Sequence, residues 1–164
     1  MKNIVAVICL LMLFHSCIYS PWDGGDSIPS ALYEPVVMKR TDFEAAIKIT
    51  DVKTVTNAGK IYVIGDRLFI NDEYAGFEIV NNTNPKNPVK EKYLNIPGAT
   101  DIAIRNNTLY INQATDLVVL AYDASLKQIA IKKRVKNVFP QLLSPNNDYK
   151  SIKEDEVIVK WKLK

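Results

Sequence analysis

The sequence predicts an all-β protein: two four-stranded, propeller-blade-like repeats with flanking strands, arranged as an incomplete propeller or a sandwich-like domain. Three observations carry this. Apolar residues alternate with others in short runs such as Ile61-Tyr62-Val63 and Leu68-Phe69-Ile70, the period-two signature of half-buried strands. The same order of strands and turns then returns at an offset of 41 residues. Helix-like character is confined to one short segment, Asp42 to Ile47.

The first element is a leader. Lys2 precedes an apolar run from Ile4 to Phe14, too short for the roughly 20 residues of a membrane span. A charged start, a short apolar middle and a small residue at the cut form a secretory signal over residues 1–16. The run ends Phe14-His15-Ser16-Cys17. A bulky apolar residue, two more and then Cys resembles the lipobox of Bacteroidota-type lipoproteins. That resemblance implies lipidation of Cys17, which becomes the first residue of the mature chain. The competing reading is an ordinary signal, cut near Ser20.

Residues 17–32 read as a flexible tether, rich in Gly, Pro, Ser and Asp and without periodicity. Asp26-Ser27-Ile28 resembles a short O-glycosylation motif, with Ser27 as acceptor; a plain linker is the alternative. Residues 33–164 form a single β domain. In its helix-like turn, Thr41 is expected as the cap and Glu44 as the reciprocal capping-box partner.

The first repeat spans about 59–98. Ile61-Val63 and Leu68-Ile70 flank a Gly65-Asp66 turn, a hairpin signal. Phe77-Glu78-Ile79 continues as a third strand. Asn81 to Pro88 is a turn-rich loop whose prolines exclude a central strand, and Val89–Ile96 is an edge-like fourth strand before Pro97-Gly98. The second repeat spans about 100–139. Ile102-Ala103-Ile104, an Asn106-Asn107 turn, Leu109-Tyr110-Ile111 and Leu117-Val118-Val119-Leu120 stand where Ile61, Gly65, Leu68 and Gly76-Phe77-Glu78-Ile79 begin their runs. Four short strands per ~40 residues is the module of a propeller blade.

Leu117-Val118-Val119-Leu120 and Asn82-Thr83-Asn84-Pro85 resemble the strand and loop of LVIVD-type propeller repeats. The flanks, Tyr33 to Met38 and Val157 to Trp161, are similar to segments of larger Bacteroidota lipoproteins. The resemblance implies a β-propeller-like lipoprotein shortened to about two repeats. Two blades do not close a ring, since propellers have typically four to eight. Either the flanking segments cover the open faces, or several copies close a ring as a homo-oligomer, or the chain is a shortened relative that folds poorly.

Composition excludes much chemistry. Cys9 and His15 leave with the signal, and Cys17 is then the one remaining cysteine. The mature chain has no imidazole base, no free thiol nucleophile and no Cys/His zinc site. The formal charge of +3 includes Lys2. The densest basic cluster, Lys132-Lys133-Arg134, sits beside Ile129 and Ile131 and reads as strand decoration rather than a nucleic-acid surface. No cofactor, metal site or nucleic-acid partner is expected.

Carboxylates are the remaining candidates. Asp72, Glu73, Tyr74 and Asp116 are expected on a ligand-facing loop at one end of the blades. The aromatic residues of both repeats are expected in the core. The function read from the sequence is a membrane-anchored envelope lipoprotein, not an enzyme, that binds or scaffolds a protein or glycan partner. Its alternatives are a glycan-active enzyme built on Asp72, Glu73 or Asp116 and a subunit that pairs through a sheet edge. The outer membrane is the default location, periplasmic or surface face undecided, because Ile18 supplies no retention Asp after the cysteine.

Overall fold

The computed structural model describes residues 32–122 and 128–164. The expected signal peptide, Cys17, Ser27 and nearly all of the tether lie outside the described residues, as do residues 123–127. The chain runs β1 (Tyr33–Lys39), α1 (Arg40–Ala45), β2 (Lys48–Thr50), β3 (Ala58–Ile64), β4 (Arg67–Asp72), β5 (Gly76–Asn81), β6 (Val89–Asn95), β7 (Ala99–Arg105), β8 (Thr108–Gln113), β9 (Asp116–Tyr122), β10 (Ile129–Val135) and β11 (Glu156–Leu163). The strands form three antiparallel sheets: β1-β11, β7-β8-β9-β10, and β3-β4-β5-β6 extended by β2 beyond β6.

Both expected repeats are present as four-stranded meanders, β3–β6 and β7–β10, and they share a register. Ile61 faces Ile70 as Ile102 faces Ile111, and Leu68 faces Val80 as Leu109 faces Leu120. Each fourth strand carries a bulge at the same place. Glu91 is passed over between Lys90 and Lys92, and Lys132 between Ile131 and Lys133. Both first turns are two residues long. Asn106 (φ 46°) and Asn107 (φ 57°) lie in the left-handed region, as does Gly65 (φ 55°), which suits tight hairpin turns.

The expected constant offset needs one correction. The β4–β5 turn has three residues, Glu73-Tyr74-Ala75, and the β8–β9 turn has two, Ala114-Thr115. Cross-strand partners therefore match Phe77 with Leu117, opposite Asn71 and Asn112 respectively. The third strands correspond at 40 residues, one less than the sequence pattern suggests. The fourth strands correspond at 41 residues again, Lys92 with Lys133.

The repeats stack front to back. The core between them is formed by Phe69, Phe77, Ile79 and Leu94 of the first and by Ile102, Leu109, Ile111, Val118 and Leu120 of the second. The residues that the second repeat buries, Ile102, Leu109 and Ile111, occupy the places of Ile61, Leu68 and Ile70. Those three lie on the opposite face of the first repeat, because neighbours along a strand alternate sides. Successive propeller blades stack in this sense. Burying each large side chain contributes about 1.5–3 kcal/mol, so this seam is the main source of stability.

The flanking segments do not cover the outer faces as a sheet. β1 and β11 pair with each other and pack with α1 against the turn end of the second repeat, where Phe43, Ala114, Val157 and Val159 form a second small core. Gly98 (φ 80°) makes this possible; a Cβ there would come within 3.1 Å of Ala114 Cβ. The expected capping box is absent. Helix α1 starts at Arg40, directly after β1, with Lys39 at the cap and no side-chain cap bond. Thr41 is thus inside the helix, and Glu44 pairs with Lys136 at 2.7 Å.

Candidate functional site

Two of the four expected ligand-facing residues point inward, which corrects the sequence reading. Asp72 ends β4 and is fully buried. Its carboxylate accepts from the Thr56 amide and hydroxyl, the Asn57 amide (3.0 Å) and the Tyr93 hydroxyl (2.9 Å). Burial opposes its charged form, but these donors outweigh burial and hold the carboxyl below its ordinary range. The same burial and bond push the Tyr93 hydroxyl upward. Lys53 lies over the Tyr93 ring, 5.0 Å from its centre. Asp72 thereby fastens the segment before β3 across the back of the first repeat.

Asp116 begins β9 and is also fully buried. It accepts from Arg40 (2.7 Å), Arg134 (2.8 Å), the Thr115 hydroxyl and the Asn137 amide. Burial again opposes the charge, and the two guanidinium groups outweigh it, so the carboxyl is depressed. Arg40 and Arg134 also stack near the ring of Phe43 at 5.4 and 5.3 Å. Asp116 therefore joins α1 to the second repeat. Both carboxylates are engaged by internal donors, and neither is presented to a ligand.

Glu73 and Tyr74 do reach the surface. With Lys60, Asn71 and Thr100 they line a shallow cleft of about 100 Å³ at the seam between repeats. Glu73 accepts from Asn57 Nδ2 at 2.7 Å. Tyr74 takes a left-handed backbone (φ 62°) to complete the three-residue turn. Among the described residues, no three His, Cys, Asp or Glu side chains gather as a metal site.

A larger cleft lies where the sequence offered no motif. Tyr33, Pro35, Tyr149, Lys150, Trp161 and Lys164 line a space of about 340 Å³ between the β1–β11 pair and the preceding loop, with Glu34 and Asp148 at its rim. Pro35 and Trp161 are register partners. Trp161 Nε1 donates to Leu142 O at 3.1 Å, which fixes the indole plane. The loop is built to present Tyr149. Buried Ser144 accepts from the Asn146 and Asp148 amides through Oγ and donates to the Asp148 carboxylate. Asn147 turns the chain in the left-handed region (φ 64°), and Gln141 Nε2 donates to Lys150 O. Tyr149 is 69% exposed. The signal for this site was an aromatic residue in the polar run Pro145-Asn146-Asn147-Asp148-Tyr149, outside any alternating pattern.

No family model matches this chain, and no curated protein or solved structure gives a match either. The fold defines a class, an all-β protein of two propeller-like blades, and the resemblance to LVIVD-type repeats rests on the sequence motifs quoted above. Among the described residues no helix is long and apolar enough to cross a membrane.

Proposed function

We propose that this chain is a lipid-anchored envelope protein of the LVIVD-like type, held at the outer membrane through Cys17, and that it binds a glycan in the cleft of Tyr33, Tyr149 and Trp161. The exposed Tyr149 ring beside the fixed Trp161 indole carries this reading. Flat aromatic faces stack on the apolar faces of sugar rings. Lys150, Lys164 and Glu34 at the same cleft supply the donors and acceptors that fix orientation. The binding reading also accommodates the internal engagement of Asp72 and Asp116, the acids that an enzymatic reading relied on.

Titration of the full-length protein against a panel of bacterial and host oligosaccharides tests the cleft. At least one glycan should bind, and Tyr149→Ala should weaken it about tenfold or more, the loss of ~1.4 kcal/mol, without lowering the melting temperature. Equal affinity of wild type and variant overturns the cleft, and silence across the panel overturns the glycan. The anchor is tested separately. Cys17→Ala should move the protein from the membrane to the soluble fraction; unchanged partitioning overturns the lipid anchor.

A further inference from the structure

The two repeats leave two unlike faces open, and each matches a face that is already covered inside the chain. On the back of the first repeat, Ile61 is 59% and Val63 62% exposed, beside half-buried Leu68 and Ile70. Their counterparts Ile102, Ile104, Leu109 and Ile111 pack into the seam. On the front of the second repeat stand Ala103, Tyr110, Leu117, Val119 and Val135. Their counterparts Tyr62, Phe69, Phe77, Ile79 and Leu94 form the other wall of that seam. Ile61, Val63, Leu68 and Ile70 on the back, and Ala103, Tyr110, Leu117, Val119 and Val135 on the front, thus repeat the apolar character of the internal interface; Glu78, which stands at the place of Val118, and Val80, at the place of Leu120, are buried. Isolated exposed apolar residues are ordinary, but a matched set on one face marks an interaction surface.

We propose that a second copy of this chain covers these faces head to tail, the back of its first repeat seated on the front of the second repeat. This goes beyond the proposed glycan cleft and does not rest on it. The charges on the rim agree. Inside the chain, Lys60 pairs with Asp101 at 2.9 Å, and these two residues hold the same position in successive repeats. Repeating the stacking step places Lys60 of the next copy beside Asp101 of the first, opposite charges again. The β1–β11 layer sits at the turn end of the second repeat, and the segment before β3 crosses the back of the first repeat only at Asp72 and Tyr93, so the β3–β4 side of that back, with Ile61 and Val63, stays open. Phe139, its amide donating to Thr115 O at 3.0 Å, lines one side of a cleft on the front of the second repeat with Ala103, Tyr110 and Leu117. Such a contact is heterologous, so it forms a ring where the rotation closes and a filament where it does not. Two, three or four copies would supply four, six or eight blades, within the usual range.

Sedimentation of the full-length protein in density-matched detergent, with micelles in excess, tests this at up to about 100 μM. Wild type should sediment as a multimer. Val63→Lys spoils the back face and Tyr110→Lys the front face, both at exposed positions, so thermal unfolding should still be cooperative. Each variant alone should be a monomer. Their equimolar mixture should give a heterodimer, because each retains the face the other lacks; a two-fold symmetric contact would not be restored in this way. A monomeric wild type overturns the proposal, as does a mixture that stays monomeric. Recovery of the Ile61 face cross-linked to a different protein in place of a second copy also overturns it.

Discussion

Lys60 and Asp101 hold the same position in successive repeats, and their side chains meet at 2.9 Å across the seam. Contact between these equivalent residues agrees with the front-to-back stacking of the two units. Asp101 also accepts a short bond from the Tyr62 hydroxyl and one from its neighbour's amide, Ile102 N. The Tyr62 bond first, then Lys60, holds the Asp101 carboxyl below its ordinary range. Burial and the same bond push Tyr62 up to about 12. The ion pair is exposed, and such pairs contribute about 0.2–1 kcal/mol. Lys60→Ala should therefore cost at most about 0.5 kcal/mol, and Asp101→Ala about 1–2 kcal/mol, because it also leaves the Tyr62 hydroxyl without its acceptor. Urea unfolding of both single variants and the double checks this. Equal costs for the two single variants would mean that Tyr62 gains nothing from Asp101.

Equivalent positions should differ in cost when they lie on covered and open faces. Ile102 is 4% exposed within the seam, and Ile61 is its open counterpart. Ile102→Ala should lose about 2–5 kcal/mol through lost burial and the cavity left behind. Ile61→Ala, measured under conditions where the chain is a monomer, should stay within about 0.5 kcal/mol. Similar losses at both positions would contradict the front-to-back stacking.

The strands were legible because alternation and turn chemistry are local. Asn106-Asn107 and Gly65 announce their hairpins through φ, and Leu109 and Ile111 announce a covered face by position. The sequence pattern did not separate covered from open faces, since Ile61 and Ile102 look alike; only the direction of stacking distinguishes them. Asp72 and Asp116 read as ligand-facing loop acids because their donors, Tyr93 at 21 residues and Arg40 at 76, come from distant elements. The aromatic cleft escaped for a related reason. Tyr33, Tyr149 and Trp161 meet only after β1 pairs with β11, and no short motif encodes that pairing.

Asp116 gives a pH-dependent prediction with a definite sign. Its folded carboxyl is depressed, with burial opposing the charge and Arg134 and Arg40 prevailing. Its stabilising effect is thus fully present above the unfolded value, about 3.9. It fades as the pH falls through the lower folded value. Asp72, depressed as well, acts in the same direction. The melting temperature of wild type should hold level from neutral pH down to about 4 and drop below it. Asp116→Asn should cost about 3–5 kcal/mol at neutral pH by leaving two guanidinium groups without their carboxylate, and should flatten the acid limb. An unchanged acid limb in the variant would remove Asp116 from the account.

Two glycines separate a packing requirement from a backbone one. Gly76 begins β5 with φ 151°, and a Cβ there would lie 2.0 Å from the Leu94 carbonyl oxygen. That oxygen belongs to the neighbouring strand and cannot move without opening the β5–β6 ladder. Gly76→Ala should therefore cost at least about 3 kcal/mol, from strain and lost ladder bonds together. Gly65 is left-handed too (φ 55°), but nothing lies within 4 Å of its added Cβ. Its counterpart in the second repeat is Asn106, which adopts the same region at φ 46°. Asn tolerates that conformation, so Gly65→Asn should stay within about 0.5 kcal/mol, whereas Gly65→Val should lose at least about 1 kcal/mol because a β-branched side chain strains there. Thermal unfolding of the three variants tests the pairing of turns directly: if Gly65→Asn costs as much as Gly65→Val, the first turns of the two repeats are not equivalent.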